Sequence, residues 1–334
     1  MSTPVFRHGR VSVPGPALLL LLTLLLGAVP FVGAPEPMAA QTAAKPAAAK
    51  PAAATATTSA GATIAPHAEK SVRFAVIGDT GTGGRQQYEV GERLTASHAV
   101  FPFDFVLMLG DNIYGGERPQ DFVKKFELPY KALLDLKIPF YASLGNHDDP
   151  NQRFYKPFNM NGERYYTFEK DGVRFFALDS NYMDQAQQDW ITRELSSSKN
   201  EWKIAFFHHP LYSSGERHGS EVDLRAVLEP LFLAHRVSVV FSGHEHFYER
   251  LKPQKGITYF TSGGGAKLRE GNIRVGSAMT AKGFDTDRSY MLVEIADKTL
   301  YFQTLSRTGA LIDSGQVEVM PPPPPKQPSD AAVR

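Results

Sequence analysis

The sequence FVLMLGDNIY, at residues 105–114, joins five apolar residues to a polar cluster that opens with Gly110 and Asp111. A short apolar run that ends at a glycine is typical of a buried β-strand. The same change from apolar to polar follows four other predicted strands, at residues 72–78 (VRFAVIG), 140–144 (FYASL), 203–207 (KIAFF) and 237–241 (VSVVF). Ligands of open α/β sheets bind outside the carboxyl ends of the strands, so five such clusters predict one shared site.

Helical patterns alternate with these strands. Apolar residues recur at three- and four-residue steps at residues 88–98, 121–136, 185–195 and 222–235. Pro129 and Pro230 are expected to kink or break two of these helices. A further strand is predicted at residues 173–178, and strand patterns dominate from residue 257 onward. The alternation predicts an α/β fold with a large central sheet system.

The composition narrows the functions that the chain can have. Its 36 Lys and Arg residues and 35 Asp and Glu residues give a formal net charge of +1, which offers no electrostatic basis for nucleic acid as the main partner. The 334 residues include no cysteine, which excludes disulfide-linked oligomers, thiolate catalysis and cysteine-ligated metal sites. A metal site must therefore use His, Asp, Glu, Asn or Tyr side chains.

Residues 1–40 have the pattern of a secretory signal peptide. Two arginines precede an apolar run at residues 17–32, which is shorter than the ~20 residues that a membrane-spanning helix needs. Cleavage is predicted after Ala34 or Ala40, and an uncleaved membrane anchor is the alternative. Both interpretations place the rest of the chain outside the cytoplasm, secreted or periplasmic. The mature chain has no predicted membrane span unless this segment is retained.

Composition divides the rest of the chain into three segments. Residues 41–69 are rich in Ala, Pro, Thr and Lys, lack apolar periodicity and predict a semi-extended linker. Residues 70–320 are predicted to form one folded domain. Residues 321–334 begin with a run of prolines and predict a disordered, polyproline-like tail.

The polar clusters supply hard and borderline oxygen and nitrogen donors. They contain more potential ligands than the four that one tetrahedral zinc takes, which favours two metal ions that share a bridging carboxylate. Tyr114 adds a phenol that titrates near pH ~10, so its ionised form needs a strong Lewis acid such as trivalent iron. The seven potential ligands are Asp79, Asp111, Tyr114, Asn146, His208, His244 and His246.

Five motifs occur in order along the chain: GDTG at residues 78–81, GDNIY at 110–114, GNHD at 145–148, AFFH at 205–208 and GHEH at 243–246. The set resembles the purple acid phosphatase family, within the calcineurin-like metallophosphoesterase superfamily. The small, single-domain, tartrate-resistant type is the nearer likeness, because residues 41–68 are too rich in Pro and Ala for the extra N-terminal domain of the large plant type. The resemblance implies a four-layer α/β/β/α sandwich of the metallophosphoesterase type.

The resemblance also implies a binuclear metal centre and a substrate site. It implies a first metal site for Fe(III), formed by Asp79, Asp111, Tyr114 and His246. It implies a second site for divalent Fe, Zn or Mn, formed by Asn146, His208 and His244, with Asp111 as the bridge. The residues that it implies for substrate binding are Asn146, His147, Glu216 and His218, of which His147 and His218 are the catalytic candidates.

The implied activity is that of an acid phosphatase, a hydrolase in which a metal-bound hydroxide attacks a phosphate monoester directly. His147 or His218 would protonate the leaving group. One alternative is a phosphodiesterase or nucleotidase on the same scaffold, whose commonest versions lack a tyrosine at the position of Tyr114. The other is a non-catalytic surface binding protein, for which lost ligands are expected. The expected partner is a small-molecule phosphate ester, and no nucleic acid partner is indicated.

Two neighbouring features are predicted to support the site rather than to form it. His209 adjoins the candidate ligand His208, but neighbours along an extended segment point in opposite directions, which predicts a packing or supporting role. The run SGGGAK at residues 262–267 could hold phosphate with backbone N–H groups. It lacks the Walker pattern, so a tight turn beside the site is the favoured interpretation.

Overall fold

Two β-sheets pack face to face within residues 68–322, the part of the chain that the computed structural model describes. The predicted signal peptide, nearly all of the predicted linker and most of the proline-rich tail lie outside these residues. Within the described part, no helix is both long and apolar enough to cross a membrane.

Strands and helices interleave along the first two thirds of this region, and strands alone make up the last third. The strands are β1 (Val72–Ile77), β2 (Phe105–Leu109), β3 (Phe140–Ser143), β4 (Tyr166–Lys170), β5 (Val173–Ala177), β6 (Trp202–Phe207), β7 (Val239–Ser242), β8 (Tyr248–Leu251), β9 (Thr258–Ser262), β10 (Thr280–Phe284), β11 (Ser289–Ala296), β12 (Thr299–Ser306) and β13 (Leu311–Glu318). The α-helices are α1 (Arg85–Val100), α2 (Pro119–Phe122), α3 (Lys131–Asp135), α4 (Gln185–Ser197) and α5 (Val222–His235).

The strand order places the predicted site-bearing strands side by side. The first sheet has the order β13-β12-β11-β1-β2-β3, in which β1, β2 and β3 are parallel neighbours. The second sheet has the order β10-β8-β9-β7-β6-β5-β4, in which β5, β6, β7 and β9 are parallel. The carboxyl ends of the parallel strands in each sheet therefore meet at one edge of that sheet.

Aromatic side chains fill the space between the sheets. Phe74 of β1 stacks on Phe105 of β2, and its edge meets the rings of Phe175 and Phe241 in the second sheet, with ring centroids 5.4 and 6.0 Å apart. Edge-to-face contacts of this kind are the favoured geometry for aromatic pairs. They form the inner apolar layer that joins the two sheets.

The helices cover the outer faces of the sheets. Val90 and Leu94 of α1 are buried in the cluster on the outer face of the first sheet. Leu228 and Phe232 of α5 are buried in the cluster on the outer face of the second. Each sheet is thus covered by apolar residues on both faces, as expected when the strand sequences are continuous apolar runs. The predicted four-layer α/β/β/α sandwich is confirmed.

Three expectations about individual elements need correction. Pro230 does not break α5, which continues past it to its last turn because Leu228 and Phe232 on either side are held in the core. The helix predicted over residues 121–136 is interrupted at Pro129 as expected, but the part before the break is α2 followed by a π-helical turn at Val123–Glu127 rather than regular helix, and α3 follows the break. Strands β4, β8 and β10 were not predicted.

Candidate metal centre

Three of the predicted ligands meet in a first cluster. The Tyr114 hydroxyl donates a hydrogen bond to Asp79 Oδ1 at 3.1 Å and lies 3.3 Å from His246 Nε2. His246 Nε2 is also 3.3 Å from Asp79 Oδ1. A carboxylate oxygen, a phenol oxygen and an imidazole nitrogen therefore converge on one point, which is the donor set that hard and borderline metal ions prefer.

A second cluster brings together ligating atoms of His208, Asn146 and His244. The side chain of His208 is fixed by a 2.8 Å hydrogen bond from its Nδ1 to the carbonyl oxygen of Leu109. Because a carbonyl only accepts, Nδ1 carries the proton, and Nε2 of the neutral ring presents a lone pair. That Nε2 faces the Asn146 amide oxygen at 3.0 Å, and His244 Nδ1 lies 3.1 Å from it. Two acceptors this close together fit neighbouring ligands of one cation.

Asp111 lies between the two clusters. Its Oδ1 is 3.4 Å from His208 Nε2 and accepts a 2.9 Å hydrogen bond from the backbone N–H of His147. Carboxylate oxygens of Asp79 and Asp111 and a ring nitrogen of His208 all lie within 4.8 Å of one another. Asp111 is thus within reach of both groups and is the carboxylate nearest His208 Nε2, as a bridging carboxylate requires.

The two carboxylates are buried without a cationic side chain. Asp79 and Asp111 are 0% and 1% exposed, and within residues 68–322 neither forms an ion pair with Lys or Arg. Burial, and then the charge of Asp111, raise the pKa of Asp79 well above its ordinary value. Buried like charges are costly unless a counter-ion is present, so this site fits bound cations.

The ring nitrogens are held in the neutral form that binds metal. Burial lowers the pKa of His208 and of His244 well below the usual value, and burial with nearby Arg269 lowers that of His246 to about 4. Neutral imidazoles are required for coordination at mild pH. Burial, together with Asp79 and Asp111, raises the pKa of the Tyr114 phenol, so only a strong Lewis acid would make it a phenolate.

The backbone at the strand ends turns these side chains towards one another. Asp79, Asp111 and His244 follow β1, β2 and β7, each one residue after a glycine, and have φ angles of 56°, 50° and 67°. In this left-handed conformation the chain leaves the direction of the strand at once. The His244 backbone N–H then donates to Asp79 Oδ2 at 2.9 Å, which joins the two sheets at the site.

The predicted substrate-binding histidines lie at the exposed side of the clusters. The His147 ring is 5.0 Å from the Tyr114 ring, and the His218 ring is 4.3 Å from the His244 ring. Glu216 is exposed, and its backbone N–H donates to the carbonyl oxygen of Asn272. No hydrogen bond or ion pair of its side chain is found among the described residues. The structure thus brings His147 and His218 to the candidate ligands but leaves the Glu216 carboxylate apart from them.

His209, for which a packing or supporting role was predicted, lies beside the candidate ligands. Its ring lies 4.5 Å from the His244 ring and 4.9 Å from the His208 ring, and its Nδ1 is 2.9 Å from Ser180 Oγ. The expectation that its ring points away from His208 was wrong, because β6 ends at Phe207 and the alternation of side chains ends with it. His209 lines a cleft of about 370 Å³ beside Asn146.

Glu245, the third residue of the GHEH motif, holds the surrounding loops in place. Its side chain is fully buried. One carboxylate oxygen accepts hydrogen bonds from the backbone N–H groups of His218 and Gly219, at 3.3 and 2.8 Å. The other accepts from Arg269 and Asn272 at 3.4 and 3.0 Å. The loop that carries His218 is therefore attached to the same strand end that presents His244.

The SGGGAK run forms a turn against Asp79, as the favoured interpretation predicted. The backbone N–H of Gly265 donates to the carbonyl oxygen of Gly78, and those of Ala266 and Lys267 lie 3.2 Å from the carbonyl oxygen of Asp79. These donors are occupied and are not free to hold phosphate. The side chain of Lys267 instead places its ammonium over the ring of Tyr114.

The comparisons with known proteins agree with this geometry. Residues 72–248 match the calcineurin-like phosphoesterase family. Purple acid phosphatase 4 of Arabidopsis thaliana is 26% identical over 275 residues, covering 71% of this chain and 80% of the relative. Tartrate-resistant acid phosphatase type 5 of Homo sapiens is 23% identical over 246 residues, covering 61% and 75%.

A solved structure supports the fold alone. Purple acid phosphatase PPD1 from yellow lupin (Lupinus luteus) seeds superposes with a TM-score of 0.61 and 19% sequence identity, covering 74% of this chain and 54% of the lupin chain. The predicted resemblance to purple acid phosphatases is confirmed. The chain belongs to the calcineurin-like phosphoesterase family, and its purple acid phosphatase homologues are hydrolases of phosphoric esters.

Proposed function

We propose that the protein is an exported phosphatase that hydrolyses phosphate monoesters at a binuclear metal centre. The observation that carries the proposal is the position of Asp111 between two clusters of ligating atoms. One cluster offers a carboxylate, a phenol and an imidazole, and the other offers an amide oxygen and two imidazoles. A pair of cations bound by such clusters suits phosphoryl chemistry.

The two clusters differ in their donor atoms, which supports different metals in the two sites. Tyr114 belongs to the first cluster, and its phenol needs a strong Lewis acid, so this cluster would hold Fe(III). The second cluster contains no phenol and would hold divalent Fe, Zn or Mn. The first set is Asp79, Asp111, Tyr114 and His246, and the second is Asn146, His208 and His244 with Asp111 shared.

The residues around the clusters have separate tasks in the proposed reaction. When bound, the cations supply a hydroxide nucleophile at mild pH and neutralise the charge on the phosphoryl oxygens. His147 and His218, at the exposed side, would bind the phosphate group, together with Asn146. The ring of His218 would also hold the proton that the leaving alkoxide requires. Glu245 accepts a hydrogen bond from the backbone N–H of His218 and would thereby fix the position of the ring that carries this proton.

Turnover on two substrates tests the activity. The metal-loaded protein should hydrolyse nitrophenyl phosphate rapidly and bis-nitrophenyl phosphate slowly. The reverse order would identify a phosphodiesterase, and the absence of turnover on both, with metals bound, would identify a binding protein. Elemental analysis of the same sample should find two metal ions per chain, one of them iron.

Export is tested independently of activity. The basic N-terminus followed by a short apolar run supports a cleaved signal peptide. N-terminal sequencing of protein recovered from the secreted or periplasmic fraction should give a chain that begins after Ala34 or Ala40. Full-length protein that stays with the membrane fraction would favour the uncleaved anchor.

A further inference from the structure

Lys267 is a charged side chain at the centre to which the proposed reaction gives no task. Its Nζ lies 4.4 Å from the centroid of the Tyr114 ring. The side chain is half-buried, and within residues 68–322 it has no hydrogen-bond acceptor and no carboxylate within ion-pairing distance. The ammonium therefore faces an aromatic ring rather than a carboxylate, and this position over one ring needs an explanation.

The backbone around Lys267 is built to hold it there. Its N–H donates to the carbonyl oxygen of Asp79 at 3.2 Å, and two residues earlier the N–H of Gly265 donates to the carbonyl oxygen of Gly78 at 3.0 Å. The turn is thereby attached to the strand end that presents the first ligand. Lys267 and Tyr114 consequently approach each other from two loops that are both fixed to the same backbone, since the Tyr114 N–H also donates to the carbonyl oxygen of Gly81.

The effect of this cation depends on the ionisation of the ring beside it. Over a neutral phenol the ammonium gains only a modest cation–π attraction. Over a phenolate it faces a full negative charge that is delocalised into the ring, in a partly dry site where such attraction is strong. The arrangement is therefore far more favourable when Tyr114 is ionised than when it is protonated.

We propose that Lys267 is a positioning residue that stabilises Tyr114 as a phenolate ligand of the first metal ion. The inference rests on the proposed ferric site, because only a strong Lewis acid ionises this phenol. Lys267 would then act through Tyr114 in two ways. It would favour binding of the metal ion by the phenolate. It would also change the energy of the light absorption that transfers charge from the phenolate to that ion.

The second effect has a definite sign. Light absorption by a ferric phenolate moves negative charge from the ring towards the metal. A cation held against the ring stabilises the state before absorption more than the state after it, so it raises the transition energy. Removing the cation should lower that energy and move the band to longer wavelength, on the order of tens of nanometres for one charge near the ring.

The test uses the full chain loaded with iron and oxidised, and compares Lys267→Gln with Lys267→Arg. Wild type should show a visible band, and Tyr114→Phe should lack it. Lys267→Gln should shift the band to longer wavelength and lose iron faster on dialysis, whereas Lys267→Arg should stay near the wild-type position. Lys282→Gln removes one exposed lysine elsewhere and should leave the band unchanged.

Each other outcome overturns the inference in a distinguishable way. A coloured wild type whose band does not move in Lys267→Gln overturns it while leaving the ferric site intact. An unmoved band with a raised KM would assign Lys267 to the substrate instead. A colourless, iron-loaded wild type would remove both the ferric tyrosinate assignment and this inference with it.

Discussion

At the scale of single residues, the motifs identify the candidate ligands but not the backbone conformation that these ligands adopt. Asp79, Asp111 and His244 occupy left-handed backbone that costs about 1–2 kcal/mol for a residue with a side chain. Such backbone strain persists only where the surrounding structure imposes it, and strained residues are concentrated at functional sites. The motifs name these residues and place them after strands. They do not reveal that the strained residue is the ligand itself rather than the glycine before it.

The shared position of Asp111 predicts an effect on both metal ions. Asp111→Asn should lower the content of both metals and reduce turnover to less than about a tenth of wild type, because metal charge stabilisation is worth several kcal/mol. His208→Ala, which removes a ligand of the second cluster only, should mainly empty the divalent site. Elemental analysis after dialysis measures both. Normal metal content with near-normal turnover in Asp111→Asn would contradict the bridging role.

His218 is predicted to serve the leaving group. A general acid matters most when the leaving alkoxide is a poor one, so His218→Ala should slow alkyl phosphates by about 10²–10⁴-fold and nitrophenyl phosphate much less. Both metals should stay bound. His235→Ala, at the C-terminal end of α5, is the matched control and should change neither rate. Equal slowing of the two substrates would mean that His218 only binds phosphate.

At the scale of elements, strands and helices with apolar patterns can be predicted from the sequence, whereas short polar strands cannot. The bounds of β2 and α5 agree with the predicted segments, because β2 is a run of apolar residues and α5 repeats apolar residues at three- and four-residue steps, as their contacts with the core require. Strands β8 and β10 carry charged residues and are held by pairing with each other, which single-strand patterns do not show. β4 could have been found, since Asp171 and Gly172 form the tight turn between β4 and β5, both with positive φ.

The positions of the side chains around the ligands escaped prediction because they come from contacts between loops. His209 reaches the centre because the chain turns after β6, and Glu245 is recognisable only once two other loops are seen to bond to it. Lys267 comes within reach of Tyr114 through a turn attached to another strand end. No spacing within the sequence encodes these distances. The five motifs therefore identified the candidate ligands, and the fold was needed for the residues around them.

The packing of the motif loops predicts a strict requirement at Gly145. Its φ angle is ordinary, but a Cβ there would run into the backbone nitrogen and Oδ1 of Asp111. Gly145→Ala should therefore displace the bridging carboxylate, lower metal content and cost about 1–3 kcal/mol in the free energy of unfolding. Elemental analysis and urea unfolding measure the two effects.

Gly84→Ala provides the control for this prediction. The added methyl group at Gly84 would meet nothing nearer than Thr82 Oγ1 at 3.4 Å, which is ordinary contact. Metal content should stay at the wild-type level in this variant. If Gly145→Ala also retains both metals and full stability, the motif glycine is not needed for the close approach to Asp111.

At the scale of the whole molecule, the candidate centre joins the two sheets at their common edge. Asp79, Asp111 and Asn146 follow strands of the first sheet, whereas His208 and His244 follow strands of the second. Aromatic packing already holds the sheets together through their inner faces. Metal ions bound by both sets of ligands would add a second connection at the edge, so metal binding and global stability should be coupled.

That coupling predicts opposite orders of stability with and without metal. Wild type should lose about 10 °C or more in Tm when both ions are removed by a chelator, because a ligand at a hundred times its Kd stabilises by about 2.7 kcal/mol and each kcal/mol is worth about 2–4 °C in a domain of this size. Thermal unfolding with and without chelator measures the loss.

Asp111→Asn separates this effect from ordinary damage to the fold. With metals present it should be less stable than wild type, since it binds them poorly. Without metals it should be more stable by about 1–2 kcal/mol, because it removes one of two buried carboxylates that repel each other and that no cationic side chain among the described residues neutralises. A stabilised metal-free Asp111→Asn would mean that the fold sacrifices stability at this edge to keep a cation site. If the metal-free variant is instead the less stable of the two, the carboxylates are compensated within the protein itself, and the electrostatic case for two bound cations fails.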